Sequence, residues 1–312
     1  MTAGEGVERH DLETLIATLG TVDHRGVDWP RVRRTAYLLH QQMRYEYPGE
    51  VRDLRQRLVI IPPERYGGQR LVTHKLEISQ PGVERDEGSD PFGNRILTLR
   101  AAHVDRRIAF TAWIVVEREA DSGPVEITAE AYNAPAFRSP SPLTVPDAAL
   151  LAAAVEWRAS GLAGLALARR INAWVYAQMR YAHGLTGVRT TAAEAFALRG
   201  GVCQDYAHVM LALCRACALP ARYVSGHLLG EGGTHAWLEV LLPGERAGTF
   251  VAHPFDPTHG TEPGLNYITI AVGGDYGDVA PTSGTFRAPF AGQLSTSKRA
   301  GVTALEYFTT EI

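Results

Sequence analysis

Residues 199–211 read RGGVCQDYAHVML, a glycine pair and a cysteine running straight into a helical pattern. The chain has only three cysteines, at 203, 214 and 217, and the first stands at the mouth of a helix. A helix N-terminus carries about half a positive charge and several N–H groups without intrahelical partners. Both features favour a thiolate, so a cysteine there is expected to titrate well below the free value of about 8.5. Gly200 and Gly201 are expected to let the backbone turn sharply and to leave the space above the sulfur open. Cys214 and Cys217, inside the same helix among Leu211, Leu213 and Leu219, have no second ligand pair nearby. Their C-x-x-C spacing reads as buried structural thiols rather than a metal or redox site.

Two downstream segments extend this reading. In Thr234-His235-Ala236-Trp237 a histidine opens an alternating strand just after the turn GEGG at 230–233. In Phe255-Asp256-Pro257-Thr258 an acid ends the next strand, and a proline stops it. If 235–242 and 249–255 form a hairpin, Asp256 lies beside His235, and Cys203, His235 and Asp256 become nucleophile, base and orienting acid. Trp237 shares the strand face of His235, either walling the cleft or filling the core. His208, five residues after Cys203, projects from another helical face and reads as packing. Asp205 in the first turn complements the helix dipole.

The order of elements around these motifs defines an α+β core. Helical patterns cover 148–159, 162–179, 191–198 and 203–217, and strands are expected at 218–229, 235–242, 249–255 and 267–272. Before residue 133 the period is two. The segments 43–47, 54–60, 70–78, 95–104 and 108–118 are separated by PPERYGG, QPG and DPFGN, the spacing of an antiparallel β-sandwich or barrel. Residues 133–146, NAPAFRSPSPLTVP, hold four prolines and read as a linker. The expected organisation is a partly helical extension at 1–34 with an amphipathic helix at 11–19, a β-rich domain at 35–132, the linker at 133–146 and the α+β core at 147–312.

Composition bounds the function. The chain of 312 residues is 45% apolar and 21% charged, with 31 basic and 34 acidic residues intermixed and a formal net charge of -3. This argues against nucleic acid or an anionic membrane as partner. Only two lysines occur, Lys75 and Lys298, and all other basic residues are arginine. Neither a secretion signal nor an apolar run of about 20 residues is visible, and the odd cysteine count makes no disulfide framework, so a cytoplasmic location is expected. No P-loop, dinucleotide fingerprint, zinc quartet or EF-hand is present; no cofactor or metal is expected.

The segments GGVCQDYAHVMLALCRACALPARYVSGHL, THAWLEV and FDPTHG, in this order, resemble the transglutaminase-like superfamily core, and HQQMRYEYPGEV (40–51) with DPFGN (90–94) resembles the β-rich region that precedes that core in bacteria. The resemblance implies a papain-like fold with Cys203 as nucleophile, His235 as base and then acid, and Asp256 as the residue that orients the ring, with Tyr181 near the thiol. Two departures stand out: TFVAHPFDP places Phe250 and His253-Pro254 where the family has a tryptophan-containing strand, and Gly274 stands where an arginine is common before Asp275. The implied chemistry is acyl transfer from a peptide or glutamine-type amide through a thioester, with hydrolysis favoured over resolution by a small amine. Two other readings remain open at this point. One is an arylamine N-acetyltransferase, whose cysteine motif RGGVC resembles but whose cysteine lies much nearer the N-terminus. The other is a non-catalytic scaffold. Oligomeric state is not fixed by the sequence.

Overall fold

The computed structural model describes residues 22–120 and 123–309; the helix expected at 11–19 lies outside the described residues. Period-two segments do form strands. β1 (Val32–Glu46) buries Tyr37, Leu39, Gln41 and Met43 on one face. It is followed by β2 (Val51–Leu58), β3 (Arg65–Tyr66), β4 (Gln69–Ile78), β5 (Glu84–Ser89), β6 (Arg95–Val104) and β7 (Arg107–Glu119). β5 is exposed along its whole length, ERDEGS, and has no apolar alternation by which to be recognised. Leu39, Met43, Phe110 and Ile114 of one sheet share a core with Leu54, Leu58, Leu97 and Leu99 of the other.

The second half is built round one helix. β8 (Val125–Ile127), α1 (Ala129–Asn133), α2 (Pro135–Arg138), α3 (Ala148–Ala159), α4 (Gly164–Gln178), β9 (Arg180–Tyr181), α5 (Ala192–Leu198) and β10 (Gly200–Gly201) lead to α6 (Cys203–Ala216). Every residue of α6 from Gln204 to Arg215 is buried, with α3, α4 and α5 on its flanks and a sheet beneath it. That sheet comprises β11 (Ala221–Leu228), β12 (His235–Pro243), β13 (Phe250–Phe255) and β14 (Tyr267–Gly273), with β8 at one edge, in the order β14-β11-β12-β13-β8. All its pairings are antiparallel. α7 (Tyr276–Val279) closes the unit.

The boundaries expected from sequence need correction at three places. The core does not run to residue 312: β15 (Thr282–Arg287) pairs with β2, and β16 (Gln293–Tyr307) pairs with β1 along nearly its full length. The β-sandwich is thus completed by the chain's C-terminal strands, as sheets β16-β1-β7-β4-β3 and β15-β2-β6-β5. At the other boundary β8, inside the expected β-domain, belongs to the core sheet through β13. The proline-rich stretch is not a free linker either, since Phe137 is buried against Leu241 and Ala252, and Thr144 receives a hydrogen bond from buried Arg215. β16 was illegible as a sandwich strand because its first five residues, QLSTS, are all exposed edge positions.

The two units meet at the open edge of β14. Gln69 from the sandwich donates through Nε2 to the Thr269 carbonyl at 2.7 Å and accepts the Thr269 N–H at 2.9 Å. Asn94 does the same to Val272, at 2.7 and 2.8 Å. Two side-chain amides therefore take the place of a missing neighbouring strand and satisfy backbone groups that would otherwise be buried unpaired. Nearby, Arg222 donates to Glu239 and to the Tyr66 hydroxyl, each at 2.8 Å, and Tyr66 donates to Glu239 at 2.5 Å.

Candidate active site

Cys203 occupies the first turn of α6, half-buried, whereas Cys214 and Cys217 are buried. Burial pushes both of the latter thiols up, away from the thiolate. The backbone elbow before Cys203 is made by Arg199, which ends α5 in the left-handed region at φ 52. Its guanidinium lies 3.9 Å over the Phe196 ring. The glycine pair does something other than turn: Gly200 and Gly201 pair in parallel with Arg180 and Tyr181. A side chain at Gly201 would come within 2.3 Å of the Asp205 carboxylate. Asp205 accepts the Val202 N–H at 2.7 Å and the Thr186 hydroxyl at 2.6 Å, a pinned turn that fixes where α6 begins. Burial raises the Asp205 pKa against these hydrogen bonds.

The expected hairpin forms: Leu238 pairs with Phe255, and His235 at the head of β12 meets Asp256 at the end of β13. His235 Nε2 is 2.8 Å from Asp256 Oδ2, with both side chains fully buried. The carboxylate is crowded with donors. Oδ2 also accepts the Tyr267 hydroxyl at 2.7 Å and faces His259 Nδ1 at 2.7 Å, while Oδ1 accepts the Thr258 N–H at 2.9 Å. Burial opposes ionisation of Asp256, but the hydrogen bonds from His235 and His259 outweigh it and hold the carboxyl well below its usual range. For His235, burial opposes the proton and is outweighed by Asp256, Cys203 and Glu231, so the imidazolium persists well above the ordinary imidazole range. With Nε2 committed to Asp256, Nδ1 is the nitrogen left for the thiol. Glu231 Oε2 lies 3.0 Å from Nδ1 but is not aligned as an acceptor.

Trp237 is core, at 1% exposure, rather than a cleft wall. Its ring stacks behind His235 at 6.1 Å and meets Tyr267 edge-on at 5.4 Å. Gly226 makes room for it, since a Cβ there would fall 2.5 Å from the indole. Tyr181 is 49% exposed and lines a cavity of about 550 Å³ with Tyr176, Met179, Tyr206, Glu231, Thr258 and His259. Burial and the neighbouring Cys203 raise its hydroxyl to about 12, so it stays protonated beside the thiol. His208 accepts the Tyr276 N–H at 3.2 Å, and burial lowers it to about 4, a neutral packing residue.

Four residues at the site were passed over in the sequence reading. His259 and Tyr267 converge on Asp256, and Glu231 reaches back from the glycine turn; the run DPTHG and the three-residue spacing of Asp256 and His259 were the available clue for the first of them. Lys298, on β16, comes within electrostatic reach of Cys203; burial lowers it to about 8, and a Cys203 thiolate opposes that fall. No reading confined to residues 147–280 would have placed it there.

The departures from the family pattern have local explanations. Pro254 lies beyond the last residue of β13 that pairs with β8, so its missing N–H costs no bond to that neighbour, and Phe250 stacks on Tyr132 at 4.1 Å. Gly274 is pressed between the Ala136 carbonyl and the Asp278 carboxylate, each 3.1 Å from where a Cβ would stand, and its own carbonyl accepts from Arg215 at 2.5 Å.

His235, Asp256 and His259 form a donor set by residue type that could hold a metal ion. Their contacts of 2.7 to 2.8 Å are those of shared protons, and Asp256 Oδ2 already serves a tyrosine hydroxyl. A cation would have to displace these hydrogen bonds, so the donor set fits proton sharing better than metal binding.

Comparison with known proteins agrees with this architecture. Residues 152–252 match the transglutaminase-like superfamily, and residues 37–117 match the bacterial transglutaminase-like N-terminal region. The chain is a transglutaminase-like superfamily protein with the bacterial N-terminal region. An uncharacterized Mycobacterium leprae protein is 37% identical over 123 residues, covering 36% of this chain and 42% of its own length. An uncharacterized Mycobacterium tuberculosis protein is 28% identical over 262 residues, covering 69% and 76%. The crystal structure of a candidate cysteine protease from Cytophaga hutchinsonii superposes with a TM-score of 0.65 at 22% identity, covering 90% of this chain and 93% of that one. The fold is accordingly the papain-like transglutaminase fold joined to a β-sandwich that β1 to β7 build together with β15 and β16. Among the described residues no helix is long and apolar enough to cross a membrane.

Proposed function

We propose that the protein is a thiol-dependent acyl-transfer enzyme acting on peptide or glutamine-type amides. The observation that carries this reading is the buried His235–Asp256 pair at 2.8 Å, with Nδ1 of the ring left for a cysteine at a helix N-terminus. The Cys203 thiolate attacks the amide carbonyl, and the N–H at the first turn of α6 is placed to receive the developing oxyanion. The C–N bond breaks as His235 passes its proton to the departing amine, leaving a thioester on Cys203. Water then attacks the thioester, His235 takes up its proton, and the acid leaves with the thiolate restored. A primary amine in place of water would give transamidation. Hydrolysis is the favoured outcome, in line with the description of the Cytophaga relative as a candidate protease.

Intact-mass spectrometry on a panel of glutamine-containing peptides tests this. The expected result is an acyl adduct on Cys203 that decays with release of acid, and none in Cys203→Ala. Turnover that survives in Cys203→Ala would contradict the reading.

A further inference from the structure

Asp256 serves two imidazoles at once. His235 Nε2 and His259 Nδ1 lie 2.8 and 2.7 Å from the same Oδ2. A second carboxylate, Glu231, faces the other nitrogen of each ring, 3.0 Å from His235 Nδ1 and 3.4 Å from His259 Nε2. Two acids and two imidazoles thus gather at the proposed triad, with Glu231 within ion-pair range of both rings. The backbone that delivers His259 is fixed on both sides. Asp256 and Thr261 exchange backbone hydrogen bonds of 2.9 and 3.1 Å, and Gly260 turns the chain at φ +67 against the Tyr176 ring.

We propose that His259 is a positioning residue: it donates through Nδ1 to Asp256, fixing the carboxylate in the orientation that aims it at His235, and through Glu231 it ties the 230–233 turn to that carboxylate. This rests on the acyl-transfer reading only for the reaction it serves. His235, the Tyr267 hydroxyl and the Thr258 N–H already hold the carboxylate, and His259 adds a second imidazole donor on Oδ2, the oxygen that faces His235, where a charged donor makes the stronger hydrogen bond. His259 reaches Asp256 from a two-bonded turn, so its position is set by backbone rather than by a long side chain. The charged or titratable groups facing its ring are Asp256, Glu231 and His235, with Tyr176, Tyr181 and Tyr206 lining the same cavity. Its hydrogen bonds to Asp256 and Glu231 raise it to about 9, which makes the Nδ1–H donor the resident form at neutral pH.

The test has two arms, neither of which needs turnover, so failure of the acyl-transfer reading leaves both readable. In wild-type protein, imidazole NMR should show His259 titrating near pH 9. A midpoint at the ordinary imidazole value of about 6.5 would overturn the proposal. The second arm is Cys203 alkylation by iodoacetamide at pH 7, read by peptide mass spectrometry in variants whose fold is checked by circular dichroism. His259→Ala should lose about tenfold in rate, the order expected when an orienting group is released, and His259→Asn, whose amide places an N–H donor where Nδ1 stood, should stay within about twofold of wild type. Wild-type reactivity in His259→Ala, or equal loss in both variants, would overturn it. If the alanine variant fails to fold, the wild-type titration and the asparagine variant decide.

Discussion

In Asp256→Asn any turnover at Cys203 is expected to fall by about 10³- to 10⁴-fold, the scale seen when a triad loses its orienting carboxylate, and Cys203 alkylation at neutral pH to fall toward that of a free thiol. An amide keeps one acceptor oxygen but turns an N–H₂ toward groups that need to donate. His235, His259 and Tyr267 all converge on Oδ2, so at least some are left facing another donor. Each buried donor left unpaired costs about 1–3 kcal/mol, and the melting temperature should fall as well. The pH dependence follows in sign. The Asp256 pKa is depressed in the folded state, so its contribution is present above the unfolded value of about 3.9 and fades as pH falls toward the folded pKa. Wild type should therefore lose more stability than Asp256→Asn on acidification below about pH 4. His235 has the opposite sign: its raised pKa contributes stability in full below about 6.5, lost as pH rises through the folded pKa. Alkylation kinetics and thermal melts across pH read both effects. Unaltered Cys203 reactivity in folded Asp256→Asn would remove Asp256 from the mechanism.

Asn94→Leu is expected to destabilise the protein by about 2–6 kcal/mol, because it strands both the N–H and the carbonyl of Val272 at about 1–3 kcal/mol each. No water-exposed alternative exists at this edge, since Asn94 is 2% exposed and Val272 is 3% exposed. The loss falls on the junction between sandwich and core, so urea unfolding should broaden or split as well as shift. β14 also carries Tyr267, so Cys203 should lose reactivity in the same variant. A loss under about 1 kcal/mol would mean that the paired amides do not hold the edge.

Much of this fold was legible because its core elements obey one period each. α6 is buried on all sides and opens with Cys203 just after a glycine pair, and the strands β11 to β14 are short apolar runs bounded by glycine and proline turns. What escaped had a physical reason. β5 and the start of β16 are exposed, so neither shows apolar alternation, and the return of the C-terminus to the sandwich depends on backbone pairing rather than on side-chain pattern. For the candidate site, the order Cys203, His235, Asp256 followed from three helix and strand ends. The second ring of partners did not, since His259, Tyr267 and Glu231 meet only after a turn, a strand and a glycine loop have folded together. Arg199, not either glycine, takes the left-handed turn, a role that a long charged residue gives no sign of in the sequence.

The central claim is that Cys203 and His235 form a reactive thiolate–imidazolium couple. The most direct measurement is the alkylation rate of each cysteine against pH, by mass spectrometry, in wild type and in His235→Ala. The account predicts that Cys203 reacts fast below about pH 7, that Cys214 and Cys217 stay inert in the folded protein, and that His235→Ala removes the advantage of Cys203. A Cys203 that reacts no faster than a free thiol, or whose rate is indifferent to His235, would contradict it.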